Sequence, residues 1–214
     1  MKQLLTVEDF FKFSRTQNYP GTELFYTTPF TLAISVLLSA QCTDKRINIV
    51  VPPLFKLADS PEKMIKLGED KLKDMIKSVT FFNNKTRNIL LLSERLIKEY
   101  DGILPKDKKA LESLAGIGPK TANVILNILH GEPLIGVDTH ILRLSHRFGW
   151  VDKSIKDPNK LEKELVKVLP KKLHSIANRD IVHFGRYVCK AKKPDCFNCP
   201  LSSKCEAVEN ETKK

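Results

Sequence analysis

The chain is 214 residues long, enough to bury a core in one large domain or in two small ones that share a cleft. Its 36 lysines and arginines against 25 aspartates and glutamates leave a formal charge of +11. That surplus suits a polyanionic partner, although lysine richness serves solubility equally well and needs a motif beside it. No apolar stretch approaches the ~20 residues of a membrane span and no basic start with an apolar run opens the chain, so a soluble protein working in the cytoplasm is expected.

Apolar residues recur at helical spacing almost throughout. The pattern predicts helices over 7–16, 29–40, 44–57, 61–67, 70–77, 83–99, 107–113, 119–130, 138–147, 158–168 and 172–188, and no alternating strand. Ser60-Pro61 and Asp157-Pro158 each join a capping residue to a proline suited to the first helical position. Gly102 and Gly131 mark helix stops. The expected class is all-α, without repeats or a long linker, with fraying confined to Asn210 to Lys214.

Between the helices at 107–113 and 119–130 runs Leu114-Ala115-Gly116-Ile117-Gly118-Pro119-Lys120-Thr121-Ala122. Glycine removes the Cβ that would keep a phosphate off the backbone, and the following helix start offers unpaired N–H groups to an anion. Gly116 and Gly118 are therefore candidate contacts for a phosphate, although an ordinary tight connection between helices uses glycine too. Lys120 falls in the first turn of the new helix, where the dipole disfavours an ammonium and favours the neutral amine that nucleophilic attack needs; a nearby carboxylate would oppose that effect, and a plain solvated charge is the other reading. Further on, Gly136-Val137-Asp138-Thr139-His140 places a carboxylate at another helix start, where it serves either as a plain N-cap or as a partner of the lysine.

Four of the five cysteines form Cys189-x6-Cys196-x2-Cys199-x5-Cys205, a cluster too local to staple a domain and suited to one metal centre. From residue type alone, structural zinc and an iron–sulfur cluster are both open. Lys190, Lys192 and Lys193 lie inside this cysteine loop with Arg186 just before it, a basic patch opposed only by Asp195. Such a patch gives affinity for phosphates and salt dependence, without sequence preference. The remaining cysteine, Cys42, is expected to be small and buried.

The run from Leu114 to Val124, Gly136 to His140, the segment Leu37-Leu38-Ser39-Ala40-Gln41-Cys42-Thr43-Asp44 and the 6-2-5 cysteine spacing together resemble the endonuclease III family of helix-hairpin-helix DNA glycosylases, along nearly the whole chain. The resemblance implies two helical lobes with the active site in the cleft between them. Residues 23–133 would form a six-helix barrel with the helix-hairpin-helix motif, and residues 1–22 with 134–214 a lobe carrying a 4Fe-4S cluster on Cys189, Cys196, Cys199 and Cys205. It implies a monomeric base-excision repair enzyme of the cytoplasm that binds damaged double-stranded DNA and flips out an oxidised pyrimidine. Lys120 would attack C1′ to form a Schiff base that permits β-elimination, assisted by Asp138. Gln41 would fill the space left by the flipped nucleotide, and Phe81 would stand where the family has a wedge, although two adjacent phenylalanines, Phe81 and Phe82, are core residues by type. Pro119 and Thr80 depart from the family's commoner residues and bear on substrate preference. Two alternatives are an adenine-removing monofunctional glycosylase of the same fold, against which Lys120 argues, and a zinc-stabilised DNA-binding module without activity.

Overall fold

The structure is a computed structural model that describes residues 5–205, 207 and 208. The expected fraying at 210–214 lies outside those residues. Among them there are eleven α-helices and no strand. In chain order these are α1 (Val7–Ser14), α2 (Pro29–Ser39), α3 (Asp44–Leu57), α4 (Pro61–Leu67), α5 (Glu69–Ile76), α6 (Phe82–Tyr100), α7 (Lys108–Glu112), α8 (Pro119–His130), α9 (Thr139–Arg147), α10 (Pro158–Val168) and α11 (His174–Tyr187). The all-α expectation holds. Two ends differ from the apolar pattern because they tighten into single 3-10 turns: Arg15–Gln17 follows α1, and Lys171–Leu173 precedes α11. No helix among the described residues is long and apolar enough to cross a membrane.

Contacts divide the chain into two units, Thr22–His130 and the pair of segments Met1–Gly21 and Gly131–Lys214. The first unit is built around α2, whose residues Phe30 to Leu38 are all buried. A helix apolar on every side has no solvent face and becomes a core element. Thr28 starts it with a reciprocal capping box to Thr31, and Pro29 occupies the first turn. Helix α6 lies against this core through one stripe, Lys85, Ile89, Leu92 and Leu96, spaced three and four residues apart.

The second unit gathers α1, α9, α10 and α11 around an aromatic cluster. The Phe10 ring stands 5.0 Å from Phe11, 5.4 Å from Trp150, 5.4 Å from Phe184 and 5.6 Å from Phe148. The Trp150 indole N–H donates to the Leu5 carbonyl at 3.2 Å, which satisfies the polar edge of a buried ring. Gly185 of α11 lets α9 approach closely, since a Cβ there would meet Arg143 Nη2 and His140 Cβ, each at 3.1 Å.

Candidate functional site

The unit Thr22–His130 holds the glycine hairpin between α7 and α8. Gly116 adopts φ +78°, and a Cβ on it would stand 2.7 Å from Leu37 Cδ1 and 3.1 Å from Asn88 Cβ. Both the dihedral and the close approach require glycine here. Gly118 differs: nothing lies within 4 Å of where its Cβ would point. Its carbonyl accepts the first bond of α8 from the Ala122 N–H at 2.9 Å. Packing therefore explains Gly116, while Gly118 leaves bare backbone open beside a helix start, the geometry that admits an anion. Lys120 is exposed in the first turn of α8.

Gln41 and Phe81 belong to the same unit, and each holds a left-handed backbone, at φ 55° and φ 58°. Gln41 is exposed in the turn after α2. Phe81 is 61% exposed as the residue that starts α6, so the core reading of the adjacent phenylalanines fails for it. Cys42 is half-buried, where full burial was expected. Between these segments lies a residue that the sequence analysis did not single out, Lys85, which is only 6% exposed. Its ammonium donates to the carbonyls of Leu38 at 2.8 Å and Ala40 at 2.6 Å. The signal was legible as a lysine on the apolar stripe of α6. Burial pushes its pKa down, and the nearby Cys42 opposes that shift.

The other unit carries Asp138, which starts α9. Its Oδ1 accepts the backbone N–H groups of His140 at 2.8 Å and Ile141 at 2.9 Å. Its Oδ2 stands 3.0 Å from His140 Nδ1, and the carboxylate side chain is 15% exposed. The capping reading of Asp138 is thus correct as geometry, with one oxygen committed to the helix and the other to an imidazole. The approach to Asp138 is held by Asn178, also missed in the sequence, which accepts from the Gly136 N–H at 3.0 Å and donates to the Leu134 carbonyl at 3.1 Å. Lys120 and Asp138 lie in different units.

Cys189, Cys196, Cys199 and Cys205 all line one cavity, together with Phe148, Phe184, Leu201 and Val208. Among the described residues no three Cys, His, Asp or Glu side chains are gathered into a preformed metal-holding group. The donor set nonetheless fits one. Burial pushes the Cys199 and Cys205 thiols up, and the other cysteines add to this. Metal binding needs the thiolate form, and a cation held among the four sulfurs would offset the burial of Cys199 and Cys205. Arg147 supports this loop by donating to the carbonyls of Lys190 at 2.7 Å and Ala191 at 3.2 Å and to the Cys189 sulfur at 3.3 Å. Lys190, Lys192 and Lys193 are all exposed. Asp195, the opposing charge, accepts from the Asn198 N–H at 3.3 Å and from its side-chain amide at 2.9 Å, bonds made within its own turn.

Residues 34–171 match the family described as HhH-GPD superfamily base excision DNA repair protein. Among curated relatives, the endonuclease III of Rickettsia conorii is 44% identical over 92% of this chain and 93% of that protein. The endonuclease III of Escherichia coli is 39% identical over 89% and 90%. A solved non-covalent endonuclease III–DNA complex matches with a TM-score of 0.90 at 37% identity, covering 96% of this chain and 95% of that one. A trapped endonuclease III–DNA covalent intermediate matches at 0.89 and 37%, covering 95% of both. With its hairpin, its capped Asp138 and its four cysteines on one cavity, the chain belongs to the endonuclease III family within the HhH-GPD superfamily of base excision DNA repair proteins.

Proposed function

We propose that this chain is a bifunctional base-excision repair enzyme, a DNA glycosylase with abasic-site lyase activity that removes oxidised pyrimidines and uses Lys120 as its nucleophile. The observation that carries the reading is Lys120 itself, an exposed amine in the first turn of the helix that follows the hairpin. Attack by the neutral amine on C1′ of an extruded nucleotide forms a C–N bond and breaks the glycosidic bond, whose electron pair leaves with the base. Opening of the sugar gives a protonated imine. This acidifies C2′–H, so loss of that proton expels the 3′ phosphate and cleaves the strand. Hydrolysis then returns the free lysine. Asp138 assists by activating the lysine or by stabilising positive charge on the sugar, and its Oδ2, less committed to the helix than Oδ1, is the oxygen for that role.

Backbone at Gly116 and Gly118 and the side chains of Lys190, Lys192 and Lys193 would contact phosphates, while Gln41 and Phe81 would enter the duplex beside the extruded nucleotide. A 4Fe-4S cluster would be held by Cys189, Cys196, Cys199 and Cys205, where it ties the lysine-bearing loop together; glycosidic cleavage itself calls for no redox change. The enzyme is proposed to act as a monomer on double-stranded DNA in the cytoplasm.

Borohydride trapping on a duplex carrying one thymine glycol tests the assignment. A covalent protein–DNA band is expected for the unaltered protein and none for Lys120→Ala, which keeps its duplex affinity. Strand cleavage by Lys120→Ala at the unaltered rate would overturn it. The metal is read separately, as visible absorption with iron on the purified protein; a colourless protein holding zinc would replace the cluster.

A further inference from the structure

Two features of the unit Thr22–His130 are left unexplained by phosphate contacts or by the nucleophile: a buried lysine, and two bulky residues in left-handed backbone on either side of it. Lys85 lies in the first turn of α6, where the dipole of its own helix disfavours a cation. What holds it there is the end of α2. The last carbonyls of a helix have no intrahelical donor, and the Lys85 ammonium supplies one to Leu38 at 2.8 Å and one to Ala40 at 2.6 Å. A cation is also favoured by the negative end of the α2 dipole.

The carbonyl of Ala40 belongs to the peptide that leads into Gln41, so the ammonium fixes the base of the Gln41 turn. The Lys85 backbone N–H makes the first i→i−4 bond of α6, to the Phe81 carbonyl at 3.0 Å, a bond any residue here would make, so the side chain's own contribution is to tie this start of α6 to the end of α2. One residue is thereby bonded to the peptides of both exposed positions. Gln41 at φ 55° and Phe81 at φ 58° adopt a conformation that glycine or asparagine takes more readily. Such backbone persists only where the surroundings over-determine it. Lys85 is the group common to both.

We propose that Lys85 is a positioning residue for base extrusion: its buried ammonium clamps the end of α2 to the start of α6, so that Gln41 and Phe81 meet the duplex as one preset edge. This rests on the reading of Gln41 and Phe81 as the side chains that enter DNA. Lys85 itself touches neither substrate nor reacting atoms. Without the clamp, the groups that meet the phosphates stay in place and the two inserting residues move independently.

The test is a double-mutant cycle on the full chain with its metal centre intact. The duplex carries 2-aminopurine next to a tetrahydrofuran abasic-site analogue, and stopped-flow fluorescence reads opening. Lys85→Met, which removes both ammonium hydrogen bonds, is expected to slow opening by at least about tenfold, the scale of losing one charge-assisted hydrogen bond, with affinity for undamaged duplex within about twofold. In the Gln41→Ala background the same change is expected to cost little more, because the clamp then has one fewer residue to position. Opening at the unaltered rate in Lys85→Met, effects that simply multiply in the double variant, or an equal loss of affinity for undamaged duplex would each overturn the proposal. If Gln41→Ala and Phe81→Ala both open DNA normally, the insertion reading itself fails, a different result from a silent Lys85. Should Lys85→Met not fold, Lys85→Gln, whose neutral amide stands one atom short of the ammonium and removes its charge, is judged by the same criteria.

Discussion

Asp138 caps α9 and, under the proposed mechanism, also assists base release, and replacing it by asparagine or by alanine distinguishes the two roles. The two backbone bonds that start α9 are both accepted by Oδ1. Asparagine offers an oxygen in the same place and is about as good an N-cap, so Asp138→Asn is expected to change stability by less than about 0.5 kcal/mol. Its amide nitrogen then faces His140 Nδ1, which serves as acceptor in the neutral tautomer. Asp138→Ala removes the cap, at a cost of about 1 kcal/mol and up to ~2. It also removes the interaction with His140, for a total of roughly 1–3 kcal/mol. The assay is built into the chain: Trp150 is the one tryptophan and lies in the same unit as Asp138, so its fluorescence during urea unfolding follows that unit. Base release is measured in single turnover on the same proteins. On the proposed mechanism the carboxylate stabilises developing positive charge, so its removal is expected to slow base release by roughly 10²-fold in both variants. If Asp138→Asn released base at the unaltered rate, Asp138 would be a cap and nothing more. If Asn and Ala destabilised equally, the bonds to Oδ1 would not be what holds the start of α9.

Gly116→Ala is expected to cost about 1–3 kcal/mol, because φ +78° strains any other residue and Leu37 Cδ1 stands 2.7 Å from the new methyl group. Urea unfolding that shows no loss would mean the hairpin has room that these distances deny. Replacing Lys190, Lys192 and Lys193 together by alanine is expected to flatten the dependence of log affinity on log salt by about 0.9 for each phosphate that no longer meets a lysine. Base release at saturating DNA should hardly change. An unaltered salt slope in binding titrations would remove the loop from the DNA interface.

The helical class and nearly every helix were legible in the sequence because both depend on short-range order. Apolar residues three and four apart, Ser60-Pro61 and Asp157-Pro158 at helix starts, and glycine after Tyr100 and His130 each act within one or two turns of chain. The places of the glycine hairpin before α8, of Lys120 in its first turn and of Asp138 at the start of α9 were legible for a related reason, since each is a local pattern. What the sequence left open was decided by contacts between distant segments. Two adjacent phenylalanines look like core, but Phe81 starts α6 in left-handed backbone and is pushed outward. The lysine at position 85 falls on the apolar stripe of α6, but what it meets there is supplied by the end of α2, 45 residues earlier, through the Ala40 carbonyl. Gly116 and Gly118 look alike in the chain, yet only Gly116 faces Leu37 and Asn88. Periodicity shows which face of a helix is apolar; only the folded chain shows what each buried donor, carbonyl and glycine meets there, because those partners are tens of residues away in sequence.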